Sequence, residues 1–195
     1  MSAWERYAIF AVILAGISSL LTLVLSNWRR SALTFAFQYL AVYWLCHLTL
    51  STSMAGIKLL TGLVASITLA SVPVKENAKP ATINEPGWIF RLIAGLLIWV
   101  VVVSLESNFA YILPGNAAMR LGGLLLLVMG LFELGITRDV GKVMLGLLTT
   151  LAGFEILYAM LETSTLVTGL LALMNLGLAF TGAFLLSTGE ETEME

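Results

Sequence analysis

Apolar residues run through this chain in long, nearly unbroken stretches separated by short polar punctuation. A hydrocarbon core of about 30 Å needs roughly 20 apolar residues per helix. Seven stretches approach that length: Tyr7–Leu25, Ser31–Leu50, Met54–Val72, Trp88–Leu105, Met119–Ile136, Lys142–Leu161 and Ser164–Ser187. The breaks between them have local causes. Asn27-Trp28-Arg29-Arg30 and Thr137-Arg138-Asp139 read as charged turns, and Ser51-Thr52-Ser53 as a minimal polar one. At Glu162-Thr163 the chain must reverse with very little polar material. The longest connection, Pro73 to Gly87, holds three of the four prolines and two lysines.

The pattern predicts an all-α, polytopic membrane protein of about seven transmembrane helices. Its parts are a three-helix unit (1–72), a Pro/Lys-containing loop (73–87), a fourth helix with its outer connection (88–118), a second three-helix unit (119–187) and an acidic tail (188–195). The two units echo each other: helix, basic turn, helix, short polar turn, helix. Residue identity between them is low, so the echo is one of architecture. Both would run in the same direction, as a parallel repeat rather than the inverted repeat of many transporters.

Composition agrees with the pattern and narrows the functions available. Of 195 residues, 59% are hydrophobic and 11% charged, with a mean hydropathy of +0.96. A soluble domain has about 25% charged residues, so this surface belongs in lipid. Ten Lys+Arg against twelve Asp+Glu leave no basic footprint for nucleic acid. One cysteine, Cys46, and one histidine, His47, rule out an internal disulfide, a Cys-rich cluster and paired-His sites. No phosphate loop or Ser–His–Asp set is present, and the loops are too short for a soluble active site. No cofactor or metal is expected, and the chain does not read as an enzyme by itself.

Basic residues set the expected orientation. With seven spans, Arg29, Arg30, Lys75, Lys79, Arg91, Arg138 and Lys142 share the side of the C-terminus, whereas only Arg6 and Arg120 lie opposite. The N-terminus is therefore expected outside and the C-terminus in the cytoplasm. The tail glutamates Glu190, Glu191, Glu193 and Glu195 affect orientation little, and they read as a disordered, solvating end.

Ionisable groups inside a bilayer are costly and mark function by default. Glu155 lies about thirteen residues into the sixth span, roughly 20 Å deep at 1.5 Å per residue. It must be neutral, or face a cation or a water-filled cavity. Glu133 lies near enough to the basic end to snorkel or to pair with Arg138 or Lys142. Lys58, in the third span, is either a relay member or a snorkelling anchor. Gln38 and His47 share the second span on roughly opposite faces, and a lone His there is more often a packing residue. Asn175, in the seventh, reads as helix–helix glue. Gly122, Gly123 and Gly130, Gly146 and Gly153, and Gly169 and Gly177 form stripes that predict close packing of the last three helices.

Helix order and polar residues together resemble the hydrogenase-4 component E family of membrane subunits. The back portion is similar to the K-type subunit of respiratory complex I and to the C-type subunit of multisubunit cation/proton antiporters. The resemblance rests on Gln38 in Phe37-Gln38-Tyr39, Lys58 in Ile57-Lys58-Leu59, and the basic turn Arg138-Asp139-Val140-Gly141-Lys142. Two departures accompany it. The family's sixth-span carboxylate falls at Leu151, with Glu155 one turn further on, and the last-helix carboxylate has no counterpart. The resemblance implies a subunit of a prokaryotic plasma-membrane complex. There it would flank a large antiporter-like subunit and complete a lateral proton path, with Glu155, Lys58, Glu133, His47 and Gln38 as candidates. The alternatives are a purely structural assembly subunit and a small stand-alone transporter.

Overall fold

The computed structural model describes residues 3–25, 27–72 and 87–191, all side chains being described except those of residues 3–6 and 189–191. The loop 73–86 with Lys75 and Lys79, the side chain of Arg6 and residues 192–195 lie outside these; the start of the acidic tail, expected to be disordered, is instead the helical end of α7, which runs to Glu191. Seven helices account for the described chain: α1 (Ala3–Val24), α2 (Trp28–Cys46), α3 (Thr52–Ser71), α4 (Trp88–Phe109), α5 (Ala117–Ile136), α6 (Val140–Ala159) and α7 (Thr165–Glu191). No strand occurs among the described residues. Six of the helices are long and apolar enough to cross a membrane. The exception is α2, whose first turn carries Arg29 and Arg30 and whose middle carries Gln38.

Side chains end the helices where the polar punctuation predicts, with one shift. The basic residues near 29–30 are not a turn: Asn27 accepts a hydrogen bond from the Arg30 N–H at 3.2 Å, and the helix begins at Trp28. An Asn cap satisfies an N–H that the first turn would otherwise leave unpaired, so Arg29 and Arg30 are drawn into the helix. Ser51, Asn116 and Asp139 cap α3, α5 and α6 in the same way. Pro114 lies in the turn before α5, followed by Gly115 at φ +137°, a conformation that disfavours any side chain.

The helices pack as two rows laid side by side. In one row α2 lies between α1 and α3, and in the other α6 lies between α5 and α7; across the rows α1 meets α5, α2 meets α6 and α3 meets α7. Each helix of the first unit therefore packs on its own counterpart in the second. The fourth helix, α4, lies in the groove between α1 and α5. Two hydrogen bonds fix the register of the central pair: Ser31 to Lys142 and Gln38 to Thr149, both 111 residues apart. A constant separation requires α2 and α6 to run in the same direction, as a parallel repeat demands.

Burial follows from this layout. Ten of the 19 residues of α2 and 13 of the 20 of α6 are buried, but only Arg91, Gly95 and Val102 of the 22 in α4. The glycine stripes act unequally. A Cβ on Gly153 would lie 2.3 Å from the Leu127 nitrogen, and one on Gly130 would lie 2.8 Å from the Gly146 carbonyl oxygen. The backbones of α5 and α6 therefore touch. Gly169 and Gly177 on α7 face open space, so the stripe expected there makes no close contact; α7 is approached instead at Gly182, where a Cβ would lie 2.8 Å from the Met144 side chain. Apolar Leu170, Leu173 and Phe180 face outward beside them and need no small-residue contact.

Candidate functional site: a buried polar seam

Ser31 and Gln38 of α2 and Lys142, Thr149 and Glu155 of α6 are buried polar residues of the two central helices, and with partners from neighbouring helices they form three levels along the bundle. At the basic end, Lys142 is the hub. Its ammonium donates to the carbonyls of Thr22 and Leu25 and to Ser31 Oγ at 3.2 Å, and lies 4.0 Å from Glu133 Oε1. The last carbonyls of a helix have no intrahelical partner and attract positive charge. The end of α1 is thus held by a lysine from the opposite unit. Of the two partners open to Glu133, the structure selects Lys142; Arg138 is exposed. Glu133 is 2% exposed and does not snorkel.

The middle level lies two turns further along. Gln38 Nε2 donates to Thr149 Oγ1 at 3.3 Å across the rows, both residues being buried. Beside it Asn175 Nδ2 donates to the Tyr39 hydroxyl, tying α7 to α2. The Tyr39 ring lies against Gly62 of α3, where no Cβ would fit: one would fall 2.0 Å from the ring. Asn175 is thus the interhelical glue its position predicts. Gln38 Oε1 and Asn175 Oδ1 are buried without a hydrogen-bond partner.

The third level holds the charges. Lys58 Nζ lies 3.1 Å from Glu155 Oε2, with side-chain exposures of 3% and 1%. Lys58 therefore does not reach outward as an anchor. Its stem turns inward from α3, one helical turn from Gly62, and meets the carboxylate of α6. The two meet as an ion pair by distance: neither the Lys58 ammonium nor either Glu155 oxygen has a partner in hydrogen-bonding geometry. Charges so fully buried need close compensation, and this pair joins the third helix of one unit to the middle helix of the other. Tyr39 and Cys46, both on α2, are close enough to feel the Glu155 charge.

Four of the five residues singled out from sequence, Gln38, Lys58, Glu133 and Glu155, are interior members of this seam. His47 is not: it caps the end of α2, exposed, with its ring stacked on Tyr43 at 5.9 Å. Sequence reasoning passed over Tyr39, Thr149 and the role of Lys142, and also the ion pair of Arg120 with Glu106 that closes α5 onto α4. One signal could have found Thr149: it stands 111 residues from Gln38, the spacing that also separates Ser51-Thr52-Ser53 from Glu162-Thr163-Ser164. Among the described residues no group of three or more His, Cys, Asp or Glu is placed to hold a metal ion. Comparison of the chain with models of known families, with curated proteins and with solved structures returns no match.

Proposed function

We propose that this chain is a non-catalytic membrane subunit of a proton- or cation-translocating complex of the complex I and hydrogenase-4 type, beside a large antiporter-like subunit. In this reading all seven helices span, including α2, whose Gln38 is buried while Leu33, Phe37, Leu40 and Trp44 form its outward apolar face. The N-terminus lies outside and the basic end lies in the cytoplasm of a prokaryotic cell. The observation that carries the reading is the Lys58–Glu155 pair. Two opposite charges, 3.1 Å apart and deep in an apolar bundle, cost several kcal/mol per ion to desolvate. A scaffold could hold the same helices with apolar packing. A pair that exchanges one proton between ionised and neutral forms gives that cost a use.

The test is proton translocation by membrane vesicles carrying the assembled complex, followed with a pH-sensitive dye. Glu155→Gln is nearly isosteric and keeps a hydrogen-bonding group. It is expected to lower translocation at least tenfold while the amount of chain in the membrane stays constant. Undiminished translocation assigns the pair to holding helices together, which is the structural reading.

A further inference from the structure

The three levels cross the bundle from one end to the other. Glu133, Lys142, Ser31 and Thr22 lie at the basic end, Gln38, Thr149, Tyr39 and Asn175 in the middle, and Lys58 with Glu155 toward the opposite end. On α6 alone, Lys142 to Thr149 is a rise of about 10 Å and Thr149 to Glu155 about 9 Å. Two or three hydrogen-bonded waters, at about 2.8 Å per link, span each step. Every level also presents buried polar atoms that no protein group satisfies by hydrogen bonding: Glu133 Oε1 and Thr137 Oγ1, then Gln38 Oε1 and Asn175 Oδ1, then both Glu155 oxygens. Such atoms bind ordered water where there is room for it.

We propose that the α2–α6 seam is a proton path across the membrane within this chain, with Gln38 and Thr149 as its midpoint. This rests on the translocation reading above and differs from a lateral path that only skirts the chain. The Gln38 amide and the Thr149 hydroxyl can each donate and accept, so they orient a water chain without changing charge; they are positioning residues. The proton is held at Glu155, taken up as the carboxylate becomes a carboxylic acid and released in the reverse step. Between the first two levels lie Phe35, Leu145 and Leu148, each fully buried. An apolar layer in a polar path blocks passive flow by excluding water.

The experiment compares Thr149→Val, Gln38→Met and Glu155→Gln in vesicles carrying the assembled complex, with the chain quantified in each membrane. Thr149→Val and Gln38→Met keep volume and remove hydrogen bonding. Each is expected to lower translocation at least tenfold, and Thr149→Ser, which restores the hydroxyl, to return it to at least half. A second readout is passive: Phe35→Ala is expected to raise the proton leak of unenergised vesicles several-fold. If Glu155→Gln abolishes translocation while Thr149→Val and Gln38→Met leave it intact, the proton leaves sideways. The transverse path then falls and the translocation reading stands. If Glu155→Gln is also silent, both fall. An unchanged leak in Phe35→Ala counts against the apolar layer as the closure of this path.

Discussion

The two three-helix units share a layout and hold together by different means. In the second, α5 and α6 approach until their backbones touch at Gly123, Gly130, Gly146 and Gly153. In the first, side chains bridge the helices. Trp28 donates to the Leu69 carbonyl at 3.1 Å, Ser66 donates to that of Ala32 at 2.5 Å, and the Tyr39 ring covers Gly62. One arrangement relies on dispersion between close backbones and the other on hydrogen bonds. In lipid both are effective, because there is no hydrophobic drive between helices to overwhelm them. The same topology therefore tolerates two packing chemistries, provided that the seam between the units keeps its register. That seam holds the Lys58–Glu155 and Lys142–Glu133 pairs and the Gln38 amide.

Three comparisons separate these contributions. The largest effect belongs to the charges joining the units. Lys58→Ala strands the Glu155 carboxylate, and removing one member of a buried pair costs about 3–5 kcal/mol. Thermal unfolding of the purified chain in detergent is expected to show that loss, with Lys58→Met plus Glu155→Gln recovering most of it. If the single and double variants melt alike, the pair is not coupled. The glycine contrast within the second unit comes next. Gly153→Ala drives a methyl against the α5 backbone and should cost about 1–3 kcal/mol. Gly169→Ala faces open space and should change little, so equal melting temperatures would erase the distinction between α6 and α7. Smallest is the polar tie from α7 to the first unit. Asn175→Leu removes its bond to Tyr39, and interhelical hydrogen bonds in membranes are worth about 0.6 kcal/mol, up to about 1.7. A larger loss would mean that Asn175 also orders the Lys58–Glu155 level.

Much of this was legible in the chain, for a physical reason. Length and uninterrupted apolarity decide a helix in lipid, since no other open structure satisfies its own backbone there. All seven expected helices are present, with ends displaced by a few residues. One change has a clear local cause: at Asn27 a cap shifts the boundary and draws Arg29 and Arg30 into α2. The glycine stripe of α7 misled because spacing shows which residues share a face and not what that face meets. His47 misled similarly: nothing in Leu45-Cys46-His47-Leu48 marks the residue at which α2 stops. Glu155 and Lys58 stood out individually, as isolated charges in apolar stretches always do.

What the sequence by itself determined is the class of protein, its helices and the few positions where chemistry can reside. Each follows from local composition and from the cost of exposing polar groups to hydrocarbon. The tertiary structure alone decided the pairings. Lys58 found Glu155 rather than water, Glu133 found Lys142 rather than Arg138, and Gln38 found Thr149 at the repeat spacing. For Lys58 and Gln38 the partner lies about a hundred residues away along the chain, and it is chosen by how the two rows dock. No stretch of sequence records that choice, because it depends on which faces of α2, α3 and α6 turn inward together.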